Sequence, residues 1–597
     1  MLKKLKLIIN TLDKKNRFYF YLLIGFIFIS SIFDAIGIIS ILPFLTLLLN
    51  TELVETNQYL NKIFTLVDLP IDNFILLTGV FYLAIVLVGI FVRFVSKFLI
   101  EVFSRNVLYD TSNKVYKLYL FKPYKFHLFN NKAYLAQKTT HYVETLIAGV
   151  LVPALLIYNL SLNLLLIILI SSIFEPIIPL TIIIFMGVYY LFFFKKASKK
   201  VEKSGNKYSK FNQEFSKLLI DSFSIIRQIR LNFKESYFLK KFSDLAKGYR
   251  NANITQYIYS NIPILIIDSF VYLVISIIAL SVYFLSDNYQ TYIPLIIFTL
   301  VAARRIIPAS QEIYSQILQI NFHEKMNSKI INDIKDLVKE NSNRIKDKKI
   351  ILDKKLKFKK EISFRNTKFS YTKKSKKFLF NLSIKRGEFI GIIGKSGNGK
   401  STFINLLCGF LKPISGEIKI DGKILDQGNL RAWQNKISYV PQEVYLFDGS
   451  IEKNILIENT NEINSKKIKN LKKILKLKFN FQDKPSREMK FQIGKQGLNL
   501  SGGQRQKISI ARSLSKDPEI IVFDEATNSL DSENENYIIN NIRKFYSNCT
   551  FIFATHRTEI LKKCDKIVFF ENGKIKNCYE YGEFKKVQQK LLKSIEK

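Results

Sequence analysis

Cysteine, histidine, tryptophan and proline are all scarce in this chain of 597 residues, which contains four cysteines, four histidines, one tryptophan and 13 prolines. The four cysteines all follow residue 407, and neither they nor the histidines are spaced like the ligands of a metal site. We therefore expect free thiols and no metal cluster built from these residues.

Acidic side chains are also few: 49 Asp and Glu face 90 Lys and Arg, which gives a net charge of +41. A nucleic-acid surface, the basic cytoplasmic loops of a membrane protein and the codon bias of an AT-rich genome could each contribute to this excess. The many Lys, Asn, Ile, Phe and Tyr residues favour a contribution from codon bias. Because the sequence contains no recognised nucleic-acid module, we expect no nucleic-acid partner.

Long apolar runs are abundant and lie before about residue 320. A helix needs roughly 20 apolar residues to cross a bilayer. The first thirteen residues are typical of an amphipathic helix at the membrane interface. Six spans are predicted, at residues 18–49, 73–100, 142–171, 177–194, 262–285 and 292–307.

The charges of the loops predict the orientation of these spans. Residues 103–141 contain seven basic residues and one acidic residue, and residues 195–256 contain fifteen basic and five acidic residues. In contrast, residues 51–72 contain four acidic residues and one lysine. Basic loops remain on the cytoplasmic side, so both termini are expected there. The tips of the two long loops, 124–131 and 221–235, are candidates for contact with a cytoplasmic domain.

Residues 389–394, FIGIIG, predict a buried strand, and the sequence KSGNGKST follows it. Strand, glycine-rich loop and helix together form the context of a phosphate-binding P-loop. Backbone amides of such a loop surround phosphate, the lysine pairs with the β- and γ-phosphates, and the hydroxyl after it binds Mg²⁺. The predicted nucleotide-binding residues are Gly394, Lys395, Ser396, Gly397, Asn398, Gly399, Lys400, Ser401 and Thr402.

A second apolar strand, residues 520–523, ends in Asp524 and Glu525. A carboxylate at this position can hold Mg²⁺, partly through water, and the adjacent Glu525 can polarise the attacking water. An apolar strand that ends in two acidic residues is common by itself. Its combination with a P-loop predicts a catalytic role.

The run LSGGQRQKISIARSL, which begins at Leu500, resembles the signature motif of ABC ATPases. The resemblance implies a dimer that sandwiches two ATP molecules, with the signature of one subunit at the γ-phosphate held by the other. Because every motif is intact, a homodimer is the simplest assembly, and a heterodimer is the alternative. It also implies roles for residues outside the P-loop. These are Ser501, Gly502, Gly503 and Gln504 in the signature, Tyr371 against adenine, Gln442 at Mg²⁺, Asp531 in the D-loop and His556 at the γ-phosphate.

The whole chain resembles type IV ABC exporters of the bacterial inner (plasma) membrane. This resemblance implies an all-α six-span transmembrane domain at 1–325, a helix extension and linker at 326–356, and an α/β P-loop ABC nucleotide-binding domain at 357–597, with that last domain cytoplasmic. One segment departs from the family pattern. Lys495 stands in the run GKQG before the signature, where exporters carry an acidic residue, so the polarity of this segment is altered.

The membrane half resembles the PglK-type flippases of lipid-linked oligosaccharides, through MLKKLKLIIN at the start, DAIGIISILPFLTLL from Asp34 and RIIPA from Arg305. Arg93, Arg304 and Arg305 are candidate substrate residues, because a guanidinium group binds phosphate oxygens in a bidentate manner. The equally weighted alternative is structural pairing, with Asp34 or Asp268 neutralising an arginine.

These patterns predict an ATPase coupled to transport, which flips a lipid-linked or other amphipathic substrate. The alternative cargoes are a lipid A-like glycolipid, a drug or a peptide. The predicted partners are a second copy of the chain and the lipid bilayer, and the predicted cofactors are ATP and Mg²⁺. A soluble ABC ATPase conflicts with the six apolar runs, whereas an ATP-gated channel is compatible with the same motifs.

Overall fold

The computed structural model describes residues 2–49, 64–65, 70–174, 177–285, 293–347, 356–372, 374–457, 465–477 and 500–587. The chain divides into two compact units. The first contains Met1–Lys122 and Asn130–Ile345, and the second contains Pro123–Phe129 and Lys346–Lys597.

The first unit is helical throughout its described residues. Short helices precede and interrupt the long ones. Two π-helical turns, Lys138–Tyr142 and Ile147–Leu151, flank the short helix Val143–Leu146. The helices are α1 (Leu2–Thr11), α2 (Lys14–Ile39), α3 (Ile41–Leu49), α4 (Ile71–Phe121), α6 (Lys132–Gln137), α7 (Val143–Leu146), α8 (Val152–Phe174), α9 (Ile177–Ser224), α10 (Ile226–Leu231), α11 (Glu235–Leu285), α12 (Ile293–Phe322) and α13 (Glu324–Asp347).

Three helical stretches in the described part of the chain are long and apolar enough to cross a membrane: Lys14–Gly37, Ile71–Phe121 and Lys132–Leu169. The predicted spans 177–194 and 262–285 fall within α9 and α11. Of the predicted span 292–307, residues 293–307 fall within α12, and residue 292 lies outside the described residues. Several of these helices continue far beyond the length of a bilayer crossing, because polar residues replace apolar ones without a helix breaker.

The first predicted span, 18–49, is not one helix. It breaks at Ser40, whose hydroxyl donates to the carbonyl of Gly37 at 3.2 Å. Pro43 lies four residues after Ile39 and has no N–H to donate to the carbonyl of Ile39, which explains the break. The apolar run alone gives no sign of it, since apolar residues continue on both sides of the break.

Helices α9 and α12 touch backbone to backbone at Gly205. A Cβ atom there would lie 1.9 Å from the carbonyl oxygen of Phe322, so only glycine permits this approach. The contact is supported one turn later, where Tyr208 packs against Phe322 and donates to or accepts from the hydroxyl of Tyr249 on α11 at 3.1 Å. The three helices therefore pack tightly at this level.

The described residues of the second unit form a ten-stranded sheet with the order β5-β4-β1-β2-β10-β9-β3-β8-β7-β6. The strands β6, β7, β8, β3 and β9 run parallel, and β1, β2, β4 and β5 pair antiparallel. The strands are β1 (Glu361–Phe369), β2 (Phe378–Lys385), β3 (Phe389–Gly394), β4 (Ser415–Ile420), β5 (Lys423–Ile424), β6 (Ile437–Val440), β7 (Ile520–Asp524), β8 (Thr550–Ala554), β9 (Lys566–Glu571) and β10 (Lys574–Tyr579).

Helices cover this sheet and bury its central strands, and all six residues of β3 are buried. Because strands buried on both faces are continuously apolar, they match the uninterrupted runs in the sequence. The helices are α5 (Tyr124–Phe129), α14 (Lys400–Leu407), α15 (Leu430–Gln434), α16 (Ile451–Leu456), α17 (Ser465–Leu475), α18 (Gly502–Leu514), α19 (Ser532–Phe545) and α20 (Thr558–Leu561).

The contact at Gly205 yields a stability prediction. We expect Gly205→Ala to lower the free energy of unfolding by about 1–3 kcal/mol, because the added methyl group must separate two backbones. Gly187→Ala on the same helix is the matched control, since a Cβ there meets nothing within 4 Å. Thermal unfolding of the purified proteins in detergent measures the difference, and identical transitions would contradict the backbone contact.

Candidate nucleotide site

The site lies where parallel strands of the second unit end. In the register of the sheet, Ala554 of β8 pairs with Ile392 of β3 and with Asp524 of β7. The segments that follow these strands therefore leave the sheet at one edge. This geometry brings the P-loop, the Asp524-Glu525 pair and His556 together.

Glycines shape the loop between β3 and α14. Gly394 has φ of 148°, and a Cβ atom on it would lie 2.4 Å from the carbonyl oxygen of Phe570. Gly399, with φ of 104°, is the N-cap residue of α14. The Asn398 side chain donates to the carbonyl of Phe570 at 3.1 Å, which ties the loop to β9. Lys395, Ser396 and Gly397 are exposed, and a Cβ on Gly397 would meet open space.

Lys400 is the hub of the site. Its side chain is buried, and Nζ donates to the carbonyl of Gly394 at 2.5 Å. The same Nζ lies 3.0 Å from Nε2 of His556 and 3.8 Å from Oε1 of Glu525. Burial lowers the pKa of Lys400, and the carboxylates of Glu525 and Asp524 oppose this shift. Burial and the lysine together lower the pKa of His556, so its imidazole is neutral near pH 7.

The two carboxylates at the end of β7 have different environments. Asp524 accepts a hydrogen bond from the hydroxyl of Tyr439 at 3.0 Å, and Glu525 accepts one from Nε2 of Gln442 at 2.8 Å. Burial raises the pKa of Asp524, and the Tyr439 hydroxyl partly reverses this shift. Glu525 has φ of 52°, a backbone conformation that is uncommon outside glycine and that clusters at functional sites.

The first turn of α14 continues the site. Ser401 is exposed, and the hydroxyl of Thr402 lies 3.2 Å from that of Tyr371. The Tyr371 ring is half-buried and packs edge-on against Phe369, with ring centroids 5.0 Å apart. The aromatic side chain predicted to contact adenine therefore lies beside the P-loop helix.

The short helix α5 adds aromatic contacts to this unit. Tyr124 packs against Phe410 and Phe129 packs against Tyr371, with ring centroids 5.1 and 6.4 Å apart. Lys125 places its ammonium group 6.0 Å from the ring centre of Phe369. The first predicted loop tip thus packs next to the residues around Tyr371.

The signature residues form a second group. Ser501 caps α18 by accepting from the backbone of Gln504, whose side chain accepts from the backbone of Ser501 at 2.8 Å. The capping leaves Ser501 and Gly502 exposed. Gly503 lies against the carbonyl oxygen of Ser529, and Asp531 caps α19 through Asn534. Within the described residues, no hydrogen bond or ion pair joins this group to Lys400.

Sequence reasoning missed Arg557, which directly follows His556. Its guanidinium donates to the carbonyl of Leu530 at 3.1 Å and to that of Asn528 at 3.2 Å. It also pairs at 2.9 Å with Glu535, which is almost completely buried. Arg557 therefore connects the D-loop to the segment that contains His556. The sequence signal was an arginine in the run ATHR, although its partners lie more than twenty residues away.

The three candidate substrate arginines lie in the first unit. Arg93 donates from Nε to both oxygens of Asp34, at 2.8 and 3.0 Å, and Asn163 donates to the same carboxylate at 3.3 Å. Arg305 is half-buried and lies within electrostatic range of Arg93 and Asp34, whereas Arg304 is exposed. The contact with Asp34 is the kind of structural pairing that the sequence offered as the alternative to substrate binding by Arg93. The side chain of Asp268 and the segment containing Lys495 lie outside the described residues.

Two family models match the chain: "ABC transporter transmembrane region" over residues 20–307 and "ABC transporter" over residues 379–528. The chain is an ABC transporter, with a helical transmembrane region followed by a P-loop ATP-binding domain. It is accordingly an integral membrane protein.

Relatives and solved structures agree with this architecture. The chain is 39% identical over 235 residues to the leukotoxin export ATP-binding protein LtxB of Aggregatibacter actinomycetemcomitans, and 39% identical over 229 residues to the alpha-hemolysin translocation ATP-binding protein HlyB of Escherichia coli. These matches cover 39% and 38% of this chain, and the chain spans about 32% of each relative. A bacterial Atm1-family ABC exporter with ATP bound shares the fold, with a TM-score of 0.74 and 18% identity over 98% of both chains.

The Arg557–Glu535 pair yields a prediction. We expect Arg557→Ala to destabilise the protein by about 3–5 kcal/mol, because it leaves the buried carboxylate uncompensated. The double variant Arg557→Met with Glu535→Leu should recover most of this loss, since apolar side chains of similar volume remove both charges. Denaturant unfolding of the full-length protein measures both effects.

Lys562→Ala is the matched control, because its ion pair with Glu559 is exposed and should contribute little. If Arg557→Ala lowered the free energy of unfolding as little as the control does, the proposed importance of Arg557 for the buried carboxylate of Glu535 would be contradicted. A double variant no more stable than Arg557→Ala would show instead that the contacts of Arg557 with the D-loop carbonyls dominate.

Proposed function

We propose that the chain is one half of an ATP-driven exporter in which ATP hydrolysis is coupled to movement of an amphipathic substrate across the membrane. The observation that carries this proposal is the cluster of Lys400, Glu525, His556, Gln442 and Asp524 at one edge of the sheet. A buried ammonium group, a carboxylate held by an amide and a neutral imidazole can together bind a nucleoside triphosphate and activate water.

Each member of the cluster has a distinct task. Lys400 neutralises phosphate oxygens, and the P-loop amides surround them. Gln442 orients Glu525, which accepts the proton of the attacking water, while a ring N–H of His556 donates to the γ-phosphate. Each of these side chains already lies within 3.8 Å of another in the single chain, so binding of the nucleotide requires little rearrangement of them.

The residues present fit a magnesium ion. Ser401, Gln442 and Asp524 offer oxygen atoms, which Mg²⁺ prefers, and the ion would neutralise charge on the phosphate oxygens. Among the described residues, no group of three or more His, Cys, Asp or Glu forms a cage. The coordination of such an ion would be completed by substrate phosphates and water, as is usual for Mg²⁺.

The proposed assembly contains a second copy of the chain. The exposed amides at the start of α18, beside Gly502 and Gly503, form a phosphate-binding element separate from Lys400. The second loop tip also lacks cover in the single chain: Leu231 and Phe233 are 78% and 85% exposed. We propose that the nucleotide-binding domain of the second copy covers this tip, with both nucleotide domains cytoplasmic.

The catalytic assignment predicts the behaviour of Glu525→Gln. We expect this variant to lose at least about 100-fold in ATPase rate, because the amide cannot accept a proton, while it still binds ATP. The nucleotide should be retained by a stable dimer after gel filtration. Glu559→Gln, an exposed residue on α20, is the control. Normal turnover by Glu525→Gln would overturn the assignment of the general base.

For the cargo, we propose a lipid-linked oligosaccharide with a pyrophosphate group. Support comes from the environment of Asp34, where the guanidinium groups of Arg93 and Arg305 lie near one carboxylate. This arrangement leaves an excess of positive charge in a membrane region, and an anionic head group would neutralise it. The resemblance to PglK-type flippases adds to the proposal.

A polypeptide is the second candidate cargo, because the matched relatives are named for leukotoxin export and alpha-hemolysin translocation. Their similarity covers only 39% and 38% of this chain, so it supports this cargo only in part. A lipid A-like glycolipid or a drug is a further alternative cargo.

The two adjacent arginines provide a matched test. We expect Arg305→Gln to weaken stimulation of the ATPase by a pyrophosphate-linked lipid about 10- to 100-fold, since a charge-assisted hydrogen bond contributes about 1.5–3 kcal/mol. Arg304→Gln should have a smaller effect, because Arg304 is exposed. Proteoliposomes containing the lipid, a polypeptide or neither give the stimulation curves and the movement between leaflets.

Equal effects of the two substitutions would contradict the role of Arg305. Stimulation by the polypeptide alone would replace the proposed cargo while leaving the ATPase assignment intact.

A further inference from the structure

The outward face of α2 carries an apolar groove of about 350 Å³. The described residues that line it all come from this helix and recur at helical spacing: Phe18, Tyr21, Leu22, Gly25, Phe26 and Ile29.

This face is opposite to the one that packs into the bundle. Phe20, Leu23 and Ile27 are buried, and α2 contacts α4 and α8. In contrast, Phe18 and Tyr21 on the groove side are 62% and 63% exposed. The groove therefore faces the surroundings of the membrane region and not its interior.

Gly25 makes the floor of the groove. A Cβ atom at this position would meet nothing within 4 Å, so close packing within the chain does not account for the glycine. Around the helix, Tyr21 lies to one side of Gly25 and Leu22 and Phe26 lie to the other, so larger side chains flank a notch that runs along the helix axis. A notch between flanking apolar side chains fits a narrow hydrocarbon chain.

The groove has the length of one membrane leaflet. Phe18 and Ile29 are eleven residues apart, which corresponds to about 16 Å along a helix. The hydrocarbon core of a bilayer is about 30 Å thick, so one leaflet contributes about 15 Å. One acyl chain that follows the groove would thus reach from the interface to the bilayer centre.

Basic residues stand at the interfacial end. Lys14 and Lys15 are exposed, lie one turn before Phe18, and face the same side as the groove at helical spacing. Lys15 places its ammonium group 5.9 Å from the ring centre of Tyr19. The neighbouring Asp13 is engaged by Lys114 at 3.0 Å, so that acid is already paired.

We propose that this face binds one anionic phospholipid from the leaflet on the side of the N-terminus. Its acyl chain occupies the groove, and its phosphate contacts Lys14 and Lys15, whose aliphatic stems follow the helix toward the interface. This lipid remains bound during transport, so the inference goes beyond the proposed cargo and requires only the membrane setting.

The test is native mass spectrometry of the full-length protein in detergent, titrated with phosphatidylglycerol or phosphatidylcholine of identical acyl chains. We expect one tightly retained phosphatidylglycerol per protomer. Lys14→Gln with Lys15→Gln should lower its affinity about 30-fold, or roughly 2 kcal/mol for two basic residues. Gly25→Phe should abolish retention of either lipid by filling the notch.

Matched controls keep the result specific. Gly187→Phe adds the same ring at an exposed glycine of α9, and Lys195→Gln with Lys196→Gln removes two adjacent exposed lysines from that helix. Both should retain phosphatidylglycerol as the unmodified protein does. Equal retention by groove variants and controls, or equal affinity for both lipids, overturns the proposal.

A second copy of the chain is the competing occupant of this face. Tyr21→Cys in a Cys578→Ser background tests it, because Cys578 is the exposed cysteine among the four. We expect no disulfide-linked dimer under oxidation in proteoliposomes. Efficient cross-linking would show that protein, and not lipid, covers the groove.

Discussion

Parallel strands end at the same edge of a sheet, and this constraint determines the arrangement of the nucleotide site. The strands β3, β8 and β7 are neighbours, and the segments that follow them carry Lys400, His556 and Glu525. None of these side chains could meet the others if one strand were reversed or displaced in the order. The buried apolar runs that form the strands are thus as necessary to the chemistry as the polar residues that follow them.

Burial strengthens the electrostatic interactions between the side chains at that edge of the sheet. In a medium of low dielectric constant, the ammonium group of Lys400 interacts strongly with both carboxylates and with the imidazole of His556. The donor from Tyr439 stabilises the ionised form of Asp524 against the cost of burial. This hydrogen bond would favour the proposed role of Asp524 as a Mg²⁺ ligand, because the ionised carboxylate is the form that binds a cation.

Local patterns in the sequence predicted the P-loop, the strand ending at Asp524 and the helices of the membrane region, because each depends on neighbouring residues. The contacts that join distant elements could not be predicted. Arg557 meets Leu530 and Glu535 only after α19 has folded back, and Arg93 meets Asp34 across two helices. The break at Ser40 was missed because its cause, Pro43, lies within an uninterrupted apolar run.

The close contact of Gly205 with Phe322 has a mechanical consequence. Helices that interlock through long side chains can slip by one turn as ridges move past each other. Two backbones in direct contact leave no room for such ridges, so the contact at Gly205 resists sliding of α9 past the end of α12. A rearrangement of the membrane region that preserves this contact would bend elsewhere, for example at the chain breaks of Ser40 or Ile225.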